Sequence, residues 1–428
     1  MKKLKILLTD LSTLDHTFGA QALTFPMVEK LKNQADCTIV LAPSYFEKNV
    51  KFAKNNGLKI IAEPNPVGAL AKHSFFFKFI NFFRIFLMVL KGKKKILENE
   101  KKNQKIWDKA LAEADVVIDN NGIEFIGNTN KKWPQLWRTA FIQLICEQVK
   151  KLYLKTTKSY GPFEGFWFKM AVKRLLKNLP VIFVREGTSK TSNLKQIEGL
   201  KLRKTIYEFP DISLGLKPAS RAWAEAYVKK MGLDLTKPII GLSPSAVIYR
   251  LPNKNLGGDN HLKFCQTLIK QFATKNQVLV IPHARADGID PKKCDVALAK
   301  MIISGLETPK NLFLLDDESL NYAQVRAIIG LLNFYIGSRF HGIASSLSMA
   351  VPIISLSWHV KYQDIMSLYL EKYPIINSRE LTPAQGIKIV NQYYNDQKWF
   401  NKIKVQTRQK AIEAKLDENI KLMIKGLN

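Results

Sequence analysis

Short, nearly continuous apolar runs recur along this chain, and each is followed by a longer stretch with helical spacing. "KILLTD" from Lys5, "CTIVLAP" from Cys37, "LKIIAE" from Leu58, "DVVID" from Asp115, "KLYLKTT" from Lys151 and "VIFVRE" from Val181 are the runs of the first half. The second half has "PIIGLSPS" from Pro238, "QVLVIPH" from Gln277, "NLFLLDD" from Asn311, "FYIGS" from Phe334 and "VPIISLS" from Val351. A strand covered on both faces needs such a run, because neither set of side chains meets water. Helical patterns lie between them, for example from Ala20 to Lys32 and from Leu320 to Leu331. The alternation predicts an α/β fold of parallel sheets flanked by helices.

The pattern divides near Pro210 to Pro238, where prolines and glycines surround one helix. Two doubly wound, Rossmann-like domains are predicted, residues 1–210 and 235–385, facing each other across a cleft. Basic helices, 386–428, follow. Ligands of such sheets bind beyond the C-terminal ends of the strands.

Two segments break the alternation. "HSFFFKFINFFRIFLMVLKGKKK", His73 to Lys95, mixes phenylalanines with Lys78, Arg84 and a lysine cluster. Asn81 and the basic residues interrupt it too often for a membrane span, and it reads as a helix lying on an anionic interface or as a core helix. "SYGPFEGFWFKMAVKRLLKN" mixes Phe163, Phe166, Trp167 and Phe168 with basic residues and reads rather as a connecting helix in the core.

Composition narrows the class. Of 428 residues, 46% are hydrophobic, enough for sizeable cores. Cys37, Cys146, Cys265 and Cys294 are far apart and form no C-x-x-C pair, which argues for a reducing compartment. The apolar run at the start stops at Asp10, so it reads as a strand and not a leader. No stretch is long and uncharged enough to span a bilayer. A cytoplasmic protein is expected, bound peripherally at the inner membrane face if the His73 segment is interfacial. The net charge of +30 points to a polyanionic partner: nucleic acid, anionic lipid or a phosphorylated substrate. A lysine-rich composition without a partner is the alternative.

Candidate chemistry sits at the predicted strand ends. In "YIGSRFHGIASSLSMA", Arg339, Phe340, His341 and Gly342 fall where a buried strand meets a helix built of small residues. The N–H groups of that helix start attract anions. Arg339 can grip a carboxylate or phosphate with two parallel hydrogen bonds. His341 can exchange a proton near neutral pH, or merely cap the helix. His283 and Arg285 end another strand, as do Ser243, Ser245 and Arg250. Arg185, Glu186 and Ser189 follow a third, and Asn120, Asn121 and Gly122 a fourth; Gly19 and Ala20 open the first helix. Together they would line one cleft with cations, hydroxyls and amides. Metal-binding motifs, a P-loop, G-x-G-x-x-G and G-x-S-x-G are absent from the sequence, so no metal or redox cofactor is expected.

From Lys5 to Leu381 these motifs resemble, in order, those of the polysaccharide pyruvyl transferases. "GSRFHGIASSLSMAVPIISLS" is similar to that family's strand, R-x-H, helix and G-V-P-strand block, with Ala350 where glycine is common. "IPH", "LSPS", "PDISLGL", "SYGPF" and "VREGTSKTSNL" also resemble its segments. The departures are "TFGAQAL", with Thr17 where asparagine is usual, and "DNNG", Asp119 to Gly122, in place of a glycine-rich turn. The resemblance implies a fold similar to the two-domain GT-B glycosyltransferases. It implies transfer of pyruvate from phosphoenolpyruvate to a sugar as a cyclic ketal, without metal or redox cofactor. His341 would then be the acid, and Arg339 and Arg185 would hold the donor, with the Gly19 and Asn121 region on the acceptor side. Acceptors would be lipid-linked glycans at the inner membrane face or wall polymers.

Two other readings compete. One is a nucleotide-sugar glycosyltransferase using Arg339 and His341 on a diphosphate. The other is a polyanion or nucleic-acid binder, which the even spread of basic residues disfavours.

Overall fold

A computed structural model describes residues 3–11, 14, 18–65, 80, 94–126, 132–187, 193–285, 290–307, 309–359 and 361–425. Nearly all of the His73–Lys95 segment lies outside the described residues, as does Ser189.

The first half runs β1 (Leu4–Leu11), α1 (Phe18–Leu31), β2 (Ala35–Leu41), α2 (Pro43–Asn55), β3 (Ile60–Ala62), α3 (Lys94–Glu113), β4 (Val116–Asp119) and β5 (Ile123–Glu124). It continues through α4 (Lys132–Gln148), β6 (Leu152–Lys155), β7 (Ser159–Tyr160), α5 (Phe166–Lys177), β8 (Ile182–Arg185), α6 (Asn193–Glu198) and β9 (Ile206–Phe209). Five strands form a parallel sheet in the order β3-β2-β1-β4-β6. The pairs β5–β7 and β8–β9 add two short parallel ribbons. A 3-10 turn, Ile212–Gly215, and α7 (Arg221–Lys230) lead to the second half.

That half runs β10 (Ile239–Ser243), α8 (Ala246–Tyr249), α9 (Asp259–Phe272), β11 (Gln277–Val280), α10 (Asp295–Ser304), β12 (Leu312–Leu314) and α11 (Tyr322–Ile329). It ends with β13 (Phe334–Gly337), α12 (Phe340–Ser348), β14 (Ile353–Ser357), α13 (Lys361–Tyr369), β15 (Ile375–Asn377), α14 (Pro383–Asn395) and α15 (Lys402–Lys425). Its parallel sheet has the order β12-β11-β10-β13-β14-β15.

Both sheets reverse direction of growth at one point, between β1 and β4 and between β10 and β13. Crevices open beyond the strand ends at such points. "DNNG" lies at one, and Ser243, Gly337 and Arg339 lie at the other. Ser243 and Gly337 are register partners, so the two segments leave the sheet side by side.

The halves share a core. Phe18, Leu23 and Met27 of α1, Ile212 and Leu214, Val325 and Ile328 of α11, Ile343 and Leu347 of α12, and Leu416 and Ile420 of α15 belong to one buried cluster. Each such side chain contributes roughly 1.5–3 kcal/mol on burial. Helix α15 is the strap that reaches back: Lys30 pairs with Asp417 at 2.6 Å, and Lys415 with Glu186 at 2.9 Å. Ala350, where the resemblance expects glycine, ends α12 in the left-handed region (φ 52°), which explains the glycine preference there.

The "SYGPFEGFWF" segment is only partly the core helix that its pattern suggests. Phe168, Val172, Leu175 and Leu176 of α5 are buried, whereas Phe166, Trp167 and Met170 face solvent.

Candidate functional site

The second half supplies a wall built around α12. Arg339 is its N-cap residue, and no side chain caps the helix. Its first N–H groups therefore stay available to a ligand, as a helix start of this length allows. Gly342 is required by packing. A Cβ there would stand 2.7 Å from His283 Nε2 and would also overlap the Tyr335 hydroxyl. Those two groups share a 2.9 Å hydrogen bond beneath the helix start.

Arg339 does not present a free fork. Its Nε donates to Asp295 at 2.7 Å and its Nη2 to the other oxygen of the same carboxylate. Asp295 is fully buried and also accepts from the N–H groups of Ala246 and Ala284, each at 2.9 Å. It thus ties together the loops after β10, β11 and β13. Removing one partner of a buried pair costs about 3–5 kcal/mol, because the remaining charge stays out of water. Asp295→Asn is therefore expected to lower unfolding free energy by about that amount. A chemical denaturation series would show this, and an unchanged midpoint would refute the pairing.

His341, the second residue of α12, lies at the cleft with its Nε2 shielded and without a hydrogen-bond partner. Burial pushes its imidazole down to about 4, opposed by Asp211 and helped by Arg185, Lys361 and Arg326. His283 falls further, to about 3, mainly through burial. Both rings are neutral at pH 7.

The first half answers with Arg185 at the end of β8. Its guanidinium ion-pairs with Asp211, donates to Ser159 Oγ at 2.8 Å and to the Gly122 carbonyl at 3.0 Å, and stacks 4.8 Å from the Phe340 ring centre. Burial alone would raise Asp211, but Arg185, His341 and the Ser213 donors hold its carboxyl below the usual range. Gln21 of α1 bridges the halves, accepting from the Tyr322 N–H at 2.6 Å. Phe18 stacks on the Tyr322 ring at 5.3 Å and meets His283 edge-on. Gly19 follows Phe18 in α1.

Lys361, at the start of α13, is a group that no local pattern marks. Its ammonium lies 4.7 Å from the Trp358 ring centre, 5.3 Å from Tyr362 and 5.9 Å from Phe340. It makes no ion pair among the described residues. Burial, with Arg185 and Arg339 nearby and Asp211 opposing, brings it down to about 7.

The other expected site residues divide. Ser243 is buried at the end of β10, with its hydroxyl beside that of Tyr335. Ser245 caps α8, accepting from Val247 N–H at 3.2 Å, and its own N–H donates to His261. Arg285 turns to Asp316 at 2.8 Å. Asn121 is half-buried, and its N–H donates to Asp119 at 2.9 Å. Asp119 itself is locked between Lys155 and Lys158, and Lys155 also reaches Glu124 at 2.6 Å, all four groups being buried. The side chain of Asn120 is buried beside them without partners. The "DNNG" departure is thus the edge of an internal charge cluster. Among the described residues no group of three His, Cys, Asp or Glu could hold a metal ion. No helix among the described residues is long and apolar enough to cross a membrane.

Among solved structures, the UDP-GlcNAc 2-epimerase of Neisseria meningitidis bound to UDP-GlcNAc is 11% identical, with a TM-score of 0.53 over 97% of this chain and 99% of that one. The S. aureus MnaA–UDP structure is 10% identical, with a TM-score of 0.56 over 95% and 92%. The Methanocaldococcus jannaschii UDP-GlcNAc 2-epimerase is 12% identical, with a TM-score of 0.51 over 95% and 98%. At these identities the likeness is one of fold, and it bears out the expected GT-B-like pair of Rossmann-like halves. No curated protein matches the chain. The polysaccharide pyruvyl transferase family matches residues 19–360, from α1 through Arg339 and His341 to the loop before α13. With most of its length matched, the chain belongs to the polysaccharide pyruvyl transferase family and is an enzyme of that kind.

Proposed function

We propose that the donor is phosphoenolpyruvate and that pyruvate is transferred as a cyclic ketal to a glycan precursor carried on lipid at the inner membrane face. The observation that carries this reading is the charge balance at the cleft. Arg185 and Arg339 each have a buried carboxylate partner, Asp211 and Asp295, while Lys361 has none among the described residues. A small donor bearing a carboxylate and a phosphate suits one uncompensated cation, two oriented guanidinium groups and an open helix start.

In the proposed reaction His341 delivers a proton to the methylene carbon of the donor. The cationic carbon that results is attacked by one sugar hydroxyl. Phosphate then leaves with the C–O bond electrons, and a second hydroxyl closes the ring. Of the two hydroxyl protons released, one replaces the proton taken from His341 and one leaves on phosphate. Arg339 and Lys361 stabilise the departing phosphate. Arg185, Ser243, His283 and Gly342 shape the donor side, and Gly19 and Asn121 the acceptor side. Ser245 and Arg285 hold the loops that carry them. No step calls on a metal or redox cofactor.

The test is to incubate the protein with phosphoenolpyruvate and a saccharide. Phosphate release together with a saccharide heavier by one pyruvate less one water is expected. Turnover of UDP-GlcNAc in its place would overturn the reading. In the same assay Lys361→Ala is expected to raise KM for the donor about 10- to 100-fold, the loss of one charge-assisted contact. Donor binding should also weaken above pH 7 in the parent protein. An anion raises the ammonium pKa from about 7, so the contact is complete below that value and is lost as pH climbs through the bound value. A donor KM that is flat from pH 7 to the bound value in both proteins would remove Lys361 from the site.

A further inference from the structure

The first half carries a surface that the reaction does not use. Among the described residues, every exposed tryptophan or phenylalanine lies at the beginnings of two neighbouring helices. Trp133 and Trp137 stand on α4, and Phe166 and Trp167 on α5, with Met170 one turn on; Phe166 and Trp167 are 68% and 74% exposed. The helices lie side by side. Trp133 meets Phe168 edge-on at 5.7 Å, and further along Gln143 donates to the Leu175 carbonyl at 2.8 Å. The two aromatic ends therefore coincide.

Large aromatic rings left in water cost free energy, and a concentration of them marks an interaction surface. The charges beside them say what kind. Helix α5 carries Lys169, Lys173, Arg174 and Lys177 and no acidic residue. Aromatic rings with lysines and arginines on one short amphipathic helix match the boundary of an anionic bilayer, where rings enter among the head groups and cations meet phosphates. A protein partner or a second copy would have to supply a matching acidic rim. The net charge of +30 disfavours a second copy.

The surface is also near the cleft. Ser159, which holds Arg185, precedes Phe166 by seven residues, at most about 25 Å of chain.

We infer that the α4–α5 aromatic end, with the basic residues of α5, docks the protein on an anionic phospholipid surface. The inference rests on the lipid-linked acceptor proposed above and names the face that would bring the cleft to it.

Sedimentation with phosphatidylcholine vesicles, with and without phosphatidylglycerol, tests it. The parent protein is expected to bind only the anionic vesicles, less tightly as salt rises. A Phe166→Ser, Trp167→Ser double variant should bind them at least about 30-fold more weakly, having lost two buried rings. Lys169→Glu with Lys173→Glu should also weaken binding. All of these side chains are exposed or half-buried, so thermal midpoints should hold. Phosphate release with a water-soluble acceptor should be unchanged in both variants, which reports the reaction separately. Equal vesicle binding by parent and double variant would overturn this face as the dock. A parent protein that ignores anionic vesicles would overturn membrane docking altogether, while ketal formation on a soluble acceptor would still stand. Dissociation of a dimer by the double substitution, with vesicle affinity unchanged, would make a second copy the occupant and overturn the proposal.

Discussion

His341→Gln is expected to lower kcat for ketal formation by about 10²- to 10⁴-fold, with the donor KM changed little. Three features set this expectation. The ring is the second residue of α12, beside the helix start and close enough to Arg185 and Asp211 to feel both charges. Its Nε2 is shielded and unpartnered, so no structural hydrogen bond is lost on substitution. Its imidazole sits at about 4 in the free protein, chiefly through burial. A neutral ring is a poor acid, so the proton must arrive with the donor. The charges of phosphoenolpyruvate, set among groups already removed from water, would favour the imidazolium. Donor binding should therefore take up protons, on His341 and on Lys361. Calorimetry in buffers of different ionisation enthalpy measures that uptake, and His341→Gln should reduce it. A variant with full kcat would remove His341 from the chemistry. Lost donor binding with intact kcat would make it a binding residue instead.

The positions of these groups were legible to different degrees, for physical reasons. Most strands of the two sheets were plain because a strand buried on both faces is largely apolar, as in β10 and β13; β15, with only Ile376 fully buried, was not among the expected runs. In the short ribbons only β8, the run "VIFVRE", was. Strand β5 has two residues, and β9 exposes Tyr207 and Glu208, so neither carries a periodic signal. At the site, Arg339 and His341 stood out because they interrupt a buried strand-to-helix turn. Their counter-charges did not. Asp295 opens an ordinary helix, where an acid reads as a favourable first-turn residue, and Asp211 caps a 3-10 turn. Only the tertiary fold brings them to Arg339 and Arg185, and that changes Arg339 from a free clamp into a neutralised, oriented donor. Lys361 was hidden for the opposite reason. In "WHVKYQD" a lysine reads as a solvated charge, and only the rings of Phe340, Trp358 and Tyr362 around its ammonium show otherwise.

The same burial that tunes the site should make the whole protein acid-sensitive. His261, His283 and His341 are held at about 4, 3 and 4, in each case chiefly by burial. In the unfolded chain each titrates near 6.5. Between that value and about 4 the unfolded state binds up to three protons that the folded state refuses at these sites, and His359, less deeply buried but also lowered to about 4, adds to them, so stability falls as pH falls. Each such proton is worth ~1.4 kcal/mol per pH unit, giving about 4 kcal/mol per unit for the three. Against a usual total of roughly 5–15 kcal/mol, most of the stability is lost within two to three units below pH 6.5. The depressed carboxyl of Asp211 works in the same direction at lower pH still, since it must be protonated on unfolding there. Thermal unfolding from pH 7.5 to 5 should show a steep fall in Tm. His261 allows the cause to be isolated, because it has no part in the proposed chemistry and accepts the Ser245 N–H through Nε2 at 3.2 Å. His261→Gln keeps an acceptor at that place and removes the titration. Its stability should depend on pH less steeply than the parent's, by about a quarter to a third. An equal slope in the two proteins would mean that the buried imidazoles do not govern acid unfolding, and that the neutral state assigned to His341 needs another cause.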